Sequence, residues 1–151
     1  MPIESARVEY SADSTVMKSF ISKPENAEFA YPGVLVFPEW WGLTDYLELR
    51  TKQLAELGYV AMAVDMYGEG KIASDPSEAG SLMNGVLSKM EDGEARVLAA
   101  MDFLKSQSQV DANRLGAIGY CFGGAIVLHA ARKSWPLRAV ASFHGALGAN
   151  H

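Results

Sequence analysis

The sequence predicts an α/β domain built on a mostly parallel, doubly wound sheet that stops just after a strand ending near Phe143. Three observations carry this expectation. Val34-Leu35-Val36-Phe37 and Tyr59 to Val64 are unbroken apolar runs, the pattern of strands buried on both faces. Segments of helical periodicity lie between such runs, so strand and helix alternate along the chain. Finally, Gly119-Tyr120-Cys121-Phe122-Gly123 joins the short apolar run Leu115 to Ile118 to a helix of small residues, as a strand-to-helix elbow does.

Taken in order, Val8 to Tyr10 and Met17 to Ile21 alternate as two antiparallel strands, with turn chemistry in Ser11-Ala12-Asp13-Ser14. Val34 to Phe37 follows as the first buried strand. Thr44 is placed to cap a helix whose Leu47, Leu54 and Leu57 form one stripe and which stops at Gly58. Tyr59 to Val64 is the next strand, ending at Asp65. Residues 67–93, rich in Gly, Ser, Asp and Pro, read as a loop-rich connection with one short helix at most. Glu94 to Ser106 is helical, with Val97, Ala100, Met101 and Leu104 facing inward. After the elbow and its helix, Arg138 to Phe143 reads as one more strand. Residues 1–151 thus form one domain, incomplete in that no helix follows to cover this last strand. An uncovered edge strand invites pairing, so a homodimer through 138–143 is an expected partner state.

Composition narrows the function. With 49% hydrophobic and 21% charged residues, the chain is an ordinary globular one. Its net charge of −5 argues against nucleic acid as a partner, because phosphate binding needs clustered Lys and Arg. No run reaches the roughly 18 apolar residues of a membrane span, and no signal peptide is evident. A lone cysteine forms no internal disulfide and no cysteine-based zinc cluster, which fits a cytoplasmic location and a protein without metal or other cofactor.

That lone cysteine, Cys121, stands at the centre of the elbow. The residues two before and two after such a nucleophile must be small for strand and helix to pack closely. At ordinary glycine usage of roughly 7%, both flanking glycines arise by chance about once in 100 to 200 placements, so the pattern favours a reactive over a buried structural thiol. The helix N-terminus favours the thiolate, the reactive form. The backbone N–H of Phe122 can donate to an oxyanion. A second donor is expected from the loop Pro38-Glu39-Trp40-Trp41-Gly42, with the Trp40 N–H as the candidate. Glu39 is the only carboxylate in that loop and is either the general base to the thiol or a solvated loop residue. Trp40 and Trp41 form either an apolar wall for a ring-bearing substrate or core packing. Of the three histidines, His144 is the imidazole that can reach Cys121, or else a structural residue before a turn. His129 reads as packing, and His151 carries no usable signal.

Together, Gly119 to Gly124, Val34 to Gly42 and Asp65-Met66-Tyr67-Gly68 resemble the dienelactone hydrolase family of α/β-hydrolases, and Met17 to Pro24 is similar to its second strand. The resemblance runs from about residue 8 to residue 146. It implies hydrolysis of a small-molecule lactone or carboxylic ester through an acyl-cysteine on Cys121, activated by Glu39. It places the oxyanion donors at the Phe122 and Trp40 N–H groups, and substrate contacts at Trp41, Tyr67 and Lys71. Family members that bind dienelactone carry an arginine shortly after the Asp-x-Tyr motif. Here that stretch is Gly68-Glu69-Gly70-Lys71, so Lys71 alone can take the role and a more general ester or lactone is expected. The family's Asp and His lie beyond the strand ending at Phe143, so the resemblance covers the N-terminal two-thirds of such a domain. A catalytically incomplete or non-catalytic pairing module is the alternative expectation, and a thiol redox or acyl-carrier role for Cys121 is a third.

Overall fold

The structure, a computed structural model, describes residues 1–145. Its first two strands, β1 (Ile3–Ala12) and β2 (Thr15–Pro24), pair antiparallel in unbroken register from Ile3 opposite Pro24 to Ala12 opposite Thr15. Asp13 turns the hairpin at φ 52°, a left-handed conformation that Asp tolerates well. Both strands run longer than the alternation at 8–10 and 17–21 suggests. β1 is the sheet's exposed edge, so its backbone pairing extends through polar residues that carry no burial signal.

The remaining strands are β3 (Tyr31–Phe37), β4 (Val60–Ala63), β5 (Val110–Tyr120) and β6 (Ala139–Phe143), in the order β1-β2-β4-β3-β5-β6. From β4 to β6 all neighbours are parallel. The central strand β3 shows why its sequence is apolar throughout. Leu35 and Phe37 face the core against helices α3 (Met90–Lys105) and α4 (Phe122–Arg132), while Val34 and Val36 pack with Leu43 and Leu47 toward α1 (Asp45–Glu56). Helices therefore cover both faces, as expected. Burying a side chain the size of these contributes about 1.5–3 kcal/mol each.

Three expectations need correction. In α1, Leu47 is 2% exposed but Leu57 is 75% exposed. The helix ends at Glu56, so Leu57 is its C-cap and leaves the inward stripe before Gly58 (φ 98°) reverses the chain. Within 67–93, α2 (Pro76–Leu87) is a full twelve-residue helix rather than a minor interruption of a loop. Asp75 caps it, accepting from the Glu78 N–H at 2.8 Å, and Pro76 supplies the first helical position. Ala79 and Val86 are buried, and this burial outweighs the low propensity of Gly80 and Gly85. α3 also begins at Met90, four residues earlier than periodicity indicates, with its four expected core residues all buried. None of the described helices is long and apolar enough to cross a membrane.

Candidate active site

The elbow is built by steric necessity. Cys121 sits between β5 and α4 with φ 54° and ψ −111°, outside the regions comfortable for an L-residue. A Cβ on Gly119 would strike the Gly123 carbonyl. One on Gly123 would lie 2.5 Å from the Phe37 carbonyl oxygen, and one on Gly124 would lie 2.6 Å from Ser142 Oγ. The two small positions read from the sequence, Gly119 and Gly123, and Gly124 beside them are thus places where β3, β5, β6 and the helix pass too closely for any side chain.

Two backbone bonds lock the elbow to its neighbours. The Gly123 N–H donates to the Pro38 carbonyl at 2.8 Å, fixing the elbow against the loop that carries Glu39 and Trp40. The Cys121 N–H donates to the Phe143 carbonyl at 2.7 Å, fixing it against the end of β6 and so against His144. Hence Cys121, Glu39 and His144 line one cavity of about 660 Å³ at the carboxyl end of the sheet, with Tyr46, Arg50, Tyr120 and Phe143. Cys121 is exposed to it. His144 stands at φ 56°, in left-handed backbone.

The wall behind the elbow is organised through Asp65. Its buried carboxylate accepts the N–H groups of Lys18 (2.9 Å), Gly68 (3.0 Å) and Gly70 (2.8 Å), holding the loop after β4. That loop presents Tyr67, whose ring stacks on Phe122 and whose hydroxyl donates to the Trp40 carbonyl at 2.6 Å. Burial pushes the Tyr67 phenol well above its ordinary pKa, and the nearby Cys121 adds to the push, so it remains a donor. Tyr67 therefore holds the Trp40–Trp41 peptide group, the one that follows the Trp40 N–H, a tie that the motif alone did not reveal. Phe122, first residue of α4, has its N–H outside the helix's own bonding pattern.

Other expected residues are not among those that line the cavity. Trp40 and Trp41 meet edge to face at 5.7 Å, and Trp40 packs against the main core; neither is among the cavity's lining residues. Lys71 is exposed on the loop beyond Gly70 and does not line it either. His129 faces Glu94, with Nε2 to Oε1 at 2.8 Å, far along α4 from Cys121. His151 lies outside the described residues. Among the described residues, no group of three or more His, Cys, Asp or Glu gathers as metal ligands would.

Sequence reasoning missed the cavity's other wall. Tyr46 and Arg50 stand one turn apart on α1, with Arg50 Nε donating to the Tyr46 hydroxyl at 3.0 Å and its guanidinium over the Tyr46 ring at 5.2 Å. Tyr46 meets Tyr120 edge to face at 6.1 Å, and Tyr120 stacks on Phe143 at 5.3 Å. Burial raises the Tyr120 phenol above its ordinary pKa; the Arg50 charge pulls it back, while Tyr46 and Glu39 add to the rise. The available signal was the i, i+4 spacing of a tyrosine and an arginine in the first turns of the helix after the Glu39 loop.

Comparison with known proteins agrees with this fold. A model of the dienelactone hydrolase family matches residues 17–151. A protein of Aquifex aeolicus, provisionally named a carboxymethylenebutenolidase, is 35% identical over 131 residues, which are 83% of this chain and 54% of that protein. "Protein usf" of Aquifex pyrophilus is 34% identical with the same coverage. Among solved structures, a dienelactone hydrolase-like promiscuous phosphotriesterase from metagenomic libraries superimposes with a TM-score of 0.93 at 36% identity. The match covers 99% of this chain and 62% of that one. The chain spans about half the length of the curated relatives it matches.

Proposed function

Because the chain belongs to the dienelactone hydrolase family, we propose that its cavity hydrolyses a lactone or carboxylic ester through an acyl-cysteine on Cys121. Glu39 takes the thiol proton, and the thiolate attacks the substrate carbonyl. The oxyanion that forms accepts from the N–H groups of Phe122 and Trp40. Collapse expels the alkoxide, which recovers the proton from Glu39 and leaves a thioester. His144 then serves as the base that activates water to release the acid. The observation that carries this reading is one arrangement: a strained cysteine at a helix N-terminus, sharing its cavity with a carboxylate and an imidazole. Steady-state assays with an activated aryl ester test it. Cys121→Ala reduces turnover to background, and Glu39→Gln lowers kcat by about 10²- to 10⁴-fold, as loss of a general base does. Turnover undiminished in Cys121→Ala would remove the proposal.

A second reading, a non-catalytic module pairing through residues 138–143, is favoured by one observation. Among the described residues β6 is the sheet's outer strand, and beside it lies an apolar trough of about 580 Å³ floored by β3, β5 and β6. Light scattering across a hundredfold concentration range separates the cases: this reading requires a dimer that survives in Cys121→Ala.

A further inference from the structure

We infer that β1 is a self-association surface, along which two copies of the chain pair antiparallel with Arg7 of each opposite Glu9 of the other. β1 is an outer strand of the sheet and is bonded to β2 alone. Along its other side the backbone N–H and C=O groups have no hydrogen-bond partner among the described residues. Proteins usually blunt such an edge with proline, a bulge or a very short strand. β1 has none of these: its ten residues lack proline and stay in unbroken register with β2. Glu4 to Arg7, Glu9 and Ser11 are exposed, so the flanking helices leave the strand open to a neighbour.

The charges of β1 select its own copy as the occupant. Two identical strands joined antiparallel into one sheet are related by a two-fold axis normal to it. Opposite residues then share a face, so the axis falls at a residue that meets itself. An axis at Arg7 or Glu9 sets like charges face to face. Axes at Ser5, Ala6 or Tyr10 leave each charge within the strand opposite an uncharged residue. With the axis at Val8, Arg7 meets Glu9 twice and Ser5 meets Ser11 on one face, while Val8 meets Val8 and Ala6 meets Tyr10 on the other. Those faces already differ within one copy. Arg7 bonds Glu48 of α1, whereas Tyr10 stacks on Phe103 of α3 at 4.8 Å and packs with Val8 against the main core. Pairing therefore carries the apolar face across the axis and closes two ion pairs on the polar one. β1 lies at the opposite side of the sheet from β6 and shares no residue with the Cys121 cavity.

Sedimentation velocity on the full chain tests the surface. Wild type is expected to dimerise. Arg7→Glu and Glu9→Arg are each expected to raise the dissociation constant about tenfold or more, because two attractive pairs become repulsive. An equimolar mixture of these two variants restores dimers, since one copy then carries two glutamates at these positions and the other two arginines. The axis is tested with the charges of β1 intact. Cys121 is the sole cysteine, so Val8→Cys and Ala6→Cys are each made in a Cys121→Ala background. A short bis-maleimide is expected to link copies of the Val8→Cys protein and not of the Ala6→Cys protein. A wild type that stays monomeric up to its solubility limit overturns the inference. A dimer of equal strength in both charge variants also overturns it and assigns pairing to another edge. Equal linking at positions 6 and 8 overturns the register.

Discussion

At Cys121 the fold holds an L-residue where glycine belongs. A non-glycine residue at φ 54° and ψ −111° costs of order 1–3 kcal/mol, met by the packing of β3, β5 and β6 around the elbow. Cys121→Gly is therefore expected to raise stability by about 1 kcal/mol in urea unfolding, after the extra entropy glycine adds to the unfolded chain. Cys121→Ala keeps the strain and is expected to change stability by less than about 0.5 kcal/mol. Equal values for the two variants would mean that the elbow stores no strain. The elbow was legible in the sequence because its requirement is local: the positions two before and two after Cys121 must lack side chains. Arg50 and Tyr46 were not, because their place beside Cys121 depends on how α1 lies over the sheet, which no local pattern encodes. Tyr67 lay in a recognised motif, yet its bond to Trp40 spans 27 residues and shows only in three dimensions.

Between elements, the polar link that ties α3 to α4 is Glu94 with His129 at 2.8 Å and Lys133 at 3.4 Å. His129 also meets Trp135 edge to face, so it packs as the sequence implied, but it bridges two helices as well. The hydrogen bond from His129 holds the Glu94 carboxyl below its ordinary pKa, with Lys133 assisting against partial desolvation. A depressed carboxylate stabilises the fold above its unfolded value of 4.5, and the contribution disappears as pH falls through the lower folded value. Glu94→Gln should accordingly lower the thermal midpoint at pH 6 and have little effect near pH 3; an equal shift at both would assign the loss to packing. The helices themselves divide by the strength of their signal. α3 has dense inward periodicity and was readable except for its first turn. α2 was obscured by Gly80, Gly85 and its serines, since its stability comes from burial against a neighbour that the sequence does not identify.

For the molecule as a whole, alternation of strand and helix sufficed to indicate a doubly wound sheet, but it could not assign the order β1-β2-β4-β3-β5-β6 or the side on which each helix packs. That order matters chemically. It sets β3 beside β5, so the loop bearing Glu39 and Trp40 meets the elbow, and it sets β6 beside β5, so His144 completes the cavity. The central claim is that this cavity contains both halves of a hydrolytic cycle, acylation at Cys121 and release assisted by His144. Stopped-flow kinetics with an activated aryl ester tests it most directly. The account predicts a burst of about one equivalent per chain followed by sustained turnover, both absent in Cys121→Ala, with only the burst surviving in His144→Ala. A burst that stalls in the unaltered chain would contradict it.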